Sequence, residues 1–400
     1  MSDTALAPEA AVAPPAALRM ELGPAQEAAR AAFRAYVDRE VAPNAGAWDR
    51  AAETPRAAVD ALAATGWLGA VVPAEHGGAG MDWVTFGLLN EELGRGCSSI
   101  RSLLTVHSMA SYAVLRYGSR AQKERWLPRL ARGEAIGAFA LSEPNVGSDA
   151  SAVETVAVAD GDDYVLSGVK KWTTYGRIAD VYLVFAKAEG KPIAFLVERG
   201  TPGFEVRPLG GITGTRASML AELRFDGCRV PKESRIAGPG FGLAVAVSVL
   251  EVGRYSVGCG TVGIVRACLD ASLAYATRRV QFGVPIAQHQ LVQRRLADMA
   301  TEYRAAHWLC LRAGWLRDAG DPSAAAETFV AKYFASQAAT RAALDAVQLH
   351  GAHGCSEEYP VERYLRDSRV MEIIEGSTEI QQVTIAGNEI REHERQDSSQ

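Results

Sequence analysis

Two short segments near the middle of the chain carry side chains that could surround a flat redox ring. They are GAFALSEPNVGSDAS, residues 137–151, and GVKKWTTYG, residues 168–176. Together they supply four hydroxyls and one large aromatic side chain: Ser142, Ser148, Trp172, Thr173 and Thr174. A redox ring needs an aromatic wall to stack on and hydrogen-bond donors at its edge. The same residues also fit a turn-rich connection between strands, and their spacing does not identify the ring.

A second glycine-rich segment offers a competing interpretation. Gly258, Gly260 and Gly263 match the G-x-G-x-x-G pattern of a nicotinamide-dinucleotide site. That pattern requires a preceding strand and a βαβ unit, whereas here a helical pattern surrounds it and continues to about residue 391. We therefore interpret these glycines as small residues that let two helices pack closely.

Metal binding is not predicted. His350 and His353 have a spacing that can bind a metal on a helix, but the Gly-Ala between them and the following glycine indicate a helix-ending turn. The six cysteines include no C-x-x-C pair, so neither a zinc site nor a disulfide framework is expected. Cysteine usage of this kind fits a reducing cytoplasm.

Composition indicates a soluble, multidomain globular enzyme. The chain has 400 residues, 48% of them hydrophobic and 22% charged, which is more than a single core usually accommodates. The net charge is −5 and the basic residues are scattered, so neither nucleic acid nor a membrane surface is an expected partner. Residues 2–18 lack the features of a secretory signal. The longest apolar run, 241–250, is about half the roughly 20 residues of a membrane helix.

The hydrophobic period changes twice along the chain and divides it into domains. Helical spacing dominates to about residue 132, short β-type runs such as VYLVFA and PIAFLVE follow, and long helical patterns return from Gly242. Helices this long with short connections are typical of a bundle. The prediction is a disordered tail (1–20), a helical domain (21–136), a β domain (137–238), a helical bundle (239–392) and a short tail (393–400).

Three further motifs reveal a family resemblance. They are RRVQFGVPIAQHQLVQRRLADM (278–299), QLHGAHG (348–354) and YLRDSRVMEIIEGSTEIQ (364–381). With the first two segments they resemble the acyl-CoA dehydrogenase family, in the family's order, from about residue 24 to 391. The resemblance implies a mainly α fold with an N-terminal helical domain, a middle β-barrel and a C-terminal four-helix bundle. It also implies FAD, an electron-transferring flavoprotein as acceptor, and a homo-oligomer, either dimer or tetramer.

The resemblance assigns cofactor contacts to several parts of the chain. One set lies near the flavin ring, and Gly147 of this set would border the bound thioester together with Ser148. A second set would contact the diphosphate and adenine of a neighbouring subunit's FAD, and a third pair follows the IIEGST motif. The first set is Phe139, Leu141, Ser142, Gly147, Trp172 and Thr174; the second is Arg279, Gln281, Phe282, Gln348, Gly351 and Ala352; the pair is Thr378 and Glu379.

Glu375 occupies the family's catalytic-base position. A carboxylate suits this role because the proton α to a thioester is weakly acidic, and desolvation makes the carboxylate more basic. The family polarises the thioester carbonyl with the backbone N–H of the base and a ribityl hydroxyl, while the β-hydride passes to flavin N5. Some members place the base immediately before an arginine that matches Arg254, but that position is Gly253 here, and Glu251 faces elsewhere on a helix.

Residues near Arg101 bear on the acyl group. The resemblance places Ser102, Ser148, Arg254, Tyr255 and Gly376 at the substrate with Arg101. Straight-chain enzymes have an apolar residue at position 101, whereas IRSLLTVHSM resembles the glutaryl-CoA dehydrogenase branch, whose arginine holds a distal carboxylate. The alternative is an arginine that caps a helix end.

Two positions depart from the glutaryl-CoA branch. Gly94 replaces a glutamate of its decarboxylation network, and Ile374 replaces a tyrosine. IRSLLTVHSM and VGIVRAC look closer to related enzymes that act on polar acyl groups held on an acyl carrier protein to make polyketide extender units. The expected substrate is a short polar or acidic acyl thioester on CoA or a carrier protein. A flavin-dependent oxidase, a glutaryl-CoA dehydrogenase and a silent scaffold remain alternatives.

Overall fold

A computed structural model of the chain describes residues 21–397. The tail predicted at 1–20 lies outside these residues. At the other end, the last helix continues to Asp397, so residues 393–397 extend a helix where the sequence indicated a tail.

The N-terminal part is helical. Its helices begin at recognisable caps: Asp82 accepts a hydrogen bond from the Thr85 N–H (2.6 Å), and Ser119 forms a capping box with Gln122. The helices are α1 (Pro24–Tyr36, continued by a π-helical segment, Val37–Val41), α2 (Ala45–Ala51), α3 (Arg56–Ala64), α4 (Trp83–Gly96), α5 (Ser98–Tyr117) and α6 (Arg120–Ala131).

The middle part is a β domain, as the β-type runs predicted. Its strands pair in the order β6-β7-β3-β2-β4-β5-β8, and β1 pairs with β4. Most pairings are antiparallel, but β1–β4 and β2–β4 are parallel. In residues 21–397 the two edge strands, β6 and β8, do not form hydrogen bonds with each other, so the sheet does not close into a barrel. The strands are β1 (Gly137–Ala140), β2 (Val156–Asp160), β3 (Asp163–Thr173), β4 (Val181–Ala188), β5 (Lys191–Glu198), β6 (Phe204–Pro208), β7 (Ala221–Pro231) and β8 (Arg235–Ile236).

The C-terminal part returns to helix and contains a small hairpin after its first helix. Its elements are α7 (Gly242–Ala276), β9 (Val280–Gln281), β10 (Val284–Pro285), α8 (Gln290–Asp318), α9 (Ala324–His350), α10 (Val361–Met371) and α11 (Thr378–Asp397). Helix α7 packs against α4, α5, α8 and α9 and is the central helix of the molecule. The helix, β and helix order predicted from periodicity is confirmed.

Helix α7 is apolar enough, by length and composition, to cross a bilayer. The mean hydropathy of its most apolar window is 1.4, and 72% of that window is buried inside the fold. The sequence argument considered only the run 241–250 and missed this longer apolar helix. Its apolar character is explained by neighbours on several sides, since a helix buried all round is hydrophobic all round.

The glycines of the G-x-G-x-x-G pattern lie inside α7 at close helix contacts. A Cβ at Gly260 would come within 2.6 Å of the Arg101 Cδ on α5, and one at Gly263 within 2.5 Å of the Arg95 N on α4. Such spacings exclude any side chain without displacement of a neighbouring helix. The interpretation as packing glycines is confirmed, and no βαβ unit surrounds them in the described part of the chain.

All three parts meet around a buried aspartate at the start of the chain. Asp49 on α2 pairs with Arg366 on α10 through two hydrogen bonds of 3.1 and 2.7 Å. Beside it, Asp367 accepts a hydrogen bond from the Thr215 N–H of the β domain (2.6 Å). This junction fixes the orientation of α10, whose C-terminal end leads directly into the IIEGST motif.

Candidate active site

Glu375 lies in a strained turn between two helices. Helix α10 ends at Met371 and α11 begins at Thr378, so the turn has six residues to reverse the chain. Glu375 has φ +56° and Gly376 has φ +92°, both in the left-handed region. A non-glycine residue there costs about 1–2 kcal/mol. Strain of this kind persists where surrounding contacts fix the backbone, and it is common at active sites.

The carboxylate of Glu375 points into the protein beside α7. Its Oε2 atom is buried and has no hydrogen-bond partner among residues 21–397. A Cβ added at Gly253 would lie 2.7 Å from the Glu375 Cδ and 2.9 Å from the Met109 Sδ. The space that a side chain at position 253 would need is therefore occupied by the carboxylate itself.

Three side chains hold the carbonyl groups of this turn. Arg254 Nε donates to the Glu375 carbonyl (3.3 Å), and Lys332 Nζ donates to the Gly376 carbonyl (2.7 Å). The amide of Gln381 donates to both carbonyls, at 3.1 and 3.0 Å. Each donor comes from a different helix, α7, α9 or α11. The turn is thus fixed by the bundle rather than by its own local sequence.

Burial raises the pKa of Glu375 to about 7. The positive charges of Arg254, Arg101 and Lys332 act in the opposite direction and limit the rise. A carboxylate with a pKa near neutrality is a far better proton acceptor than one at the usual value and is still ionised in part at neutral pH. The site can therefore remove a weakly acidic proton from a molecule placed against Oε2.

Arg101 is buried in the first turn of α5. Its side chain is 1% exposed and donates to the Thr105 hydroxyl (2.9 Å) and to the Met371 sulfur (3.2 Å). The Arg101 Nε has no partner within residues 21–397. Burial lowers its pKa to about 10, while Glu375 and Asp367 raise it. Its contacts are side chains rather than helix-end carbonyls, which does not support the capping alternative.

A chain of polar groups lies beside Arg101. The Thr105 hydroxyl is 2.6 Å from the Ser256 hydroxyl, which donates to the Asn90 side-chain oxygen (2.6 Å). Ser102 donates to the Ser99 carbonyl and lies 2.9 Å from the Ser218 hydroxyl. This side of the site is polar, and a hydrocarbon tail next to it would leave the Arg101 Nε without a partner.

Position 94 has no space for a glutamate. A Cβ at Gly94 would come within 2.7 Å of the Gly260 carbonyl carbon, because α4 and α7 are in backbone contact there. The glutamate of the glutaryl-CoA branch is therefore both missing and sterically excluded in this packing. Ile374, at the position of that branch's tyrosine, is partly buried against the bundle core.

The two segments that open the β domain present an aromatic ring to solvent. Trp172 lies within an irregularity in the β3–β7 pairing, has φ +65° and is 52% exposed, with Lys171 Nζ over its ring at 4.9 Å. The neighbouring Thr173 hydroxyl is buried without a partner in the described residues. An exposed indole beside an unsatisfied hydroxyl fits a flat ring with polar edges. Phe139, which packs edge-on against Phe185, lies on β1 of the same sheet.

A buried ion pair holds these two segments together. Lys170 on β3 donates to the Glu143 carboxylate (2.7 Å) and to the Leu141 carbonyl (3.1 Å), and both charged side chains are at most 1% exposed. The Ser142 carbonyl accepts from the Lys171 N–H (2.9 Å). Gly147 and Ser148, further along the loop, are exposed, and Thr174 is partly buried. Breaking such a pair typically costs roughly 3–5 kcal/mol, so the loop geometry is strongly fixed.

The second set of cofactor residues lies at the far end of α7. Arg279, Gln281 and Phe282 belong to the β9–β10 hairpin, where Phe282 has φ +54° and is 95% exposed. Tyr275, at the end of α7, stacks on His350 at 4.3 Å, which places Gln348, Gly351 and Ala352 at this same end.

Glu375 lies beside Arg254, which is 21 residues before Tyr275 on α7, or about 30 Å at the usual rise per residue. Within one chain the second cofactor set therefore lies at the opposite end of α7 from Glu375.

Three further residues predicted to lie at the site are Tyr255, Thr378 and Glu379. Tyr255 is buried between helices, where its hydroxyl faces Gly87 and Gly314, and its assignment to the substrate stays a prediction. Thr378 begins α11 and its N–H donates to the Glu372 carbonyl (3.0 Å), while Glu379 is exposed.

The other candidate base and the two histidines have local partners. Glu251 pairs with Arg317 (2.7 Å) and is not free to act as a base. His350 Nδ1 contacts the Ala346 carbonyl, and His353 Nδ1 contacts Glu358. Within residues 21–397, no three His, Cys, Asp or Glu side chains form a metal-binding group.

Lys332, Gln381 and the space at Gly253 were missed by sequence reasoning. Lys332 stands in the run FVAKYFASQAA, where one lysine among small and aromatic residues is a sign of a buried charge. Gln381 lies in the quoted motif, but nothing in its spacing shows that it turns back to the Glu375 carbonyl. The left-handed conformation of Glu375 has no sequence signal at all.

Fold and site together match one protein family along almost the whole chain. Residues 23–134 match the acyl-CoA dehydrogenase N-terminal domain, 138–228 its middle domain and 240–389 its C-terminal domain. The chain belongs to the acyl-CoA dehydrogenase family. It is an FAD-dependent oxidoreductase that acts on CH–CH bonds.

Individual relatives differ in their substrates. The chain is 38% identical over 380 residues to the mitochondrial short-chain specific acyl-CoA dehydrogenase of Rattus norvegicus, covering 94% of this chain and 92% of the relative. A glutaryl-coenzyme A dehydrogenase–glutaryl-CoA complex has a TM-score of 0.91 and 34% identity, covering 93% and 97%. FkbI, described as acting in biosynthesis of the methoxymalonyl extender unit of the FK520 polyketide, has a TM-score of 0.83 and 36% identity, covering 90% and 99%.

The close contact at Gly253 gives a direct test of where the base lies. Gly253→Ala places a methyl group against the Glu375 carboxylate, which must move away. We expect the variant to stay folded and to bind FAD, because the displaced atoms are the ends of two flexible side chains, Glu375 and Met109. It should lose at least about tenfold in kcat, since small misplacements of a catalytic group are costly. Thermal melting, flavin absorbance and turnover check this. Wild-type turnover in Gly253→Ala would show that the carboxylate does not act from this position.

Proposed function

We propose that Glu375 is the base of an α,β-dehydrogenation whose substrate is a short acyl thioester with a polar or acidic tail. The observation that carries this proposal is the buried carboxylate of Glu375, unpaired at Oε2 and close to three cations. The retained base argues against a silent scaffold.

The chain supplies both a proton acceptor and a polarising group. Deprotonated Glu375 accepts the α-proton, and its backbone N–H is not used by any acceptor in residues 21–397, so it is free to donate to the thioester carbonyl. A preorganised donor at this oxygen stabilises the negative charge that develops as the proton leaves. Arg254 and Gln381 keep the N–H and the carboxylate in a fixed relation because they hold the Glu375 carbonyl.

The residues present fit FAD. Trp172 offers a stacking surface, the Thr173 hydroxyl lacks a partner, and the Glu143–Lys170 pair fixes the loop that contains Leu141 and Ser142. When bound, FAD supplies the acceptor for the β-hydride. The Oε2 atom of Glu375 is buried, and burial raises the pKa of this base.

Arg101 supports the choice of a polar or acidic tail. A guanidinium matches a carboxylate or a polar oxygen, and here it has an unused Nε and neutral partners. The excluded glutamate at Gly94 argues against the decarboxylation that accompanies glutaryl-CoA oxidation. Among the relatives, the similarity to FkbI supports an acyl group of the polyketide extender-unit type, on CoA or on an acyl carrier protein.

The electron acceptor we propose is an electron-transferring flavoprotein, with a cytoplasmic location. An oxidase would transfer electrons to O₂, and peroxide measured during turnover in air distinguishes the two.

We also propose a homo-oligomer, dimer or tetramer, because the hairpin with Arg279 and Phe282 lies about 30 Å from Glu375 on the same chain. A second copy would bring it to the FAD. Sedimentation of a fully flavinated monomer would contradict this.

The raised pKa of Glu375 predicts the pH dependence of the reaction. Because only the ionised base accepts a proton, kcat/KM should rise with pH through an apparent pKa of about 7 and level off above it.

Glu375→Gln should keep FAD and lose at least about a hundredfold in turnover at all pH values, since an amide is not a base. Near-normal turnover by this variant, or a flat profile between pH 5 and 8, rules out Glu375.

Arg101→Leu tests the proposed tail. The change removes the buried guanidinium, so kcat/KM should fall for acidic or hydroxylated thioesters and rise for butyryl thioester, with discrimination of about tenfold or more in each direction. One carrier, CoA or carrier protein, must be used throughout. If wild type handles the butyryl and polar thioesters equally and the mutation changes both alike, Arg101 has no part in selecting the tail.

A further inference from the structure

Lys332 is a fully buried lysine that has no acidic hydrogen-bond partner among residues 21–397. It lies on α9, is 0% exposed, and directs its ammonium group at two backbone carbonyls. Nζ donates to the Gly376 carbonyl at 2.7 Å and to the Glu372 carbonyl at 3.5 Å. Burying an ammonium is costly unless polar groups surround it, and two neutral carbonyls replace only part of its hydration. A neutral side chain of similar length would avoid this desolvation cost, so the buried charge indicates a functional role for Lys332.

The four ionisable groups that face Lys332 come from three elements. Glu375 and Glu372 lie on the turn after α10, Arg254 comes from α7 and Glu379 from α11. Burial and the charge of Arg254 lower the pKa of Lys332 and the three carboxylates raise it, with a net value of about 8. This value lies above the pKa of about 7 of Glu375, so the lysine is mainly protonated at the midpoint of the Glu375 titration.

We propose that Lys332 is a positioning residue for the catalytic base, which holds the Glu375–Gly376 turn through the Gly376 carbonyl and supplies a fixed positive charge that favours the ionised form of Glu375. This inference rests on the proposed role of Glu375. It assigns to one buried side chain both the geometry of the turn and part of the acidity of the base.

The geometry favours this double role. Gly376 has φ +92°, and its carbonyl accepts hydrogen bonds from two helices, from Gln381 on α11 and from Lys332 on α9. Gly258 on α7 packs against this part of α9, where a Cβ would lie 3.4 Å from the Lys332 Cα, at ordinary van der Waals distance.

Of the three cations near Glu375, two have other assigned contacts. Arg101 from α5 donates to Thr105, and Arg254 from α7 holds the Glu375 carbonyl with its guanidinium over the Phe329 ring at 4.5 Å. Both arginines are candidates for substrate contact. Lys332 instead sits behind the turn, so its effect on Glu375 is present before any substrate binds.

Gln381 provides a matched control. It donates to the same Gly376 carbonyl at 3.0 Å and is also 0% exposed, but it carries no charge. Lys332→Met removes a hydrogen bond and a charge, whereas Gln381→Met removes hydrogen bonds alone. Any effect common to both variants reports the position of the turn, and an effect confined to Lys332→Met reports the charge.

The experiment is the pH profile of kcat/KM for the FAD-loaded enzyme with one thioester. In Lys332→Met, the apparent pKa of the rise in kcat/KM should increase by about one pH unit. Below this pKa, kcat/KM should be about tenfold lower than in wild type, and above it the two should become equal. Gln381→Met should lower kcat without changing the apparent pKa. Lys332→Arg, which keeps the charge, should leave the apparent pKa within about 0.3 unit of wild type where it folds.

A second readout does not depend on turnover. The ionisation of Glu375 can be followed by infrared difference spectra in the carboxyl region, with Glu375→Gln as the blank. The same upward shift is expected in Lys332→Met and, if that variant does not fold, in Lys332→Gln, which keeps a donor without the charge. An unmoved Glu375 titration in either neutral variant overturns the inference.

The outcomes separate this inference from the proposed function. If Glu375→Gln retains turnover, the base assignment fails. If Glu375→Gln is inactive but the neutral Lys332 variants titrate as wild type does, the base assignment stands and only the role of Lys332 fails. Equal shifts in Lys332→Met and Gln381→Met also overturn it, because charge is then not the cause.

Discussion

The arrangement of this protein depends on keeping one carboxylate out of water while holding positive charges near it. Glu375 is unpaired at Oε2, which makes its ionised form costly, and Arg254, Arg101 and Lys332 offset part of that cost. With burial alone the base would be protonated at neutral pH. With a direct ion pair it would be ionised but too weak a base to remove a proton α to a thioester. A pKa near 7 lies between these limits.

Each domain contributes to this balance through packing. The N-terminal helices provide Arg101 and the backbone contact at Gly94, and the β domain anchors α10 where Thr215 meets Asp367. Helix α7 provides Arg254 and, at Gly253, the empty space that the carboxylate fills. Since these contacts join elements far apart in sequence, the site exists only when all three parts are assembled, and its stability is that of the whole molecule.

Sequence reasoning recovered the order of the domains and the family, but only part of the site. Helical and strand periodicity follows from burial of one face or the other, so α7, α8, α9 and the strands could be predicted. The left-handed turn at Glu375 and the carbonyl contacts of Lys332 and Gln381 depend on how side chains are oriented inside the bundle. Hydrophobic periodicity predicts which residues are buried but not which residues they contact. The motif identified Glu375 but not the side chains that surround it.

The central claim is that Glu375 removes the α-proton, and isotope exchange measures this step apart from hydride transfer. A thioester without hydrogen on its β-carbon cannot be oxidised, but its α-protons can still exchange with solvent. In D₂O, wild-type enzyme should exchange these protons at a rate that rises with pH through about 7, and Glu375→Gln should not exchange them above the rate without enzyme. Exchange by Glu375→Gln at the wild-type rate would show that another group is the base and would contradict the account.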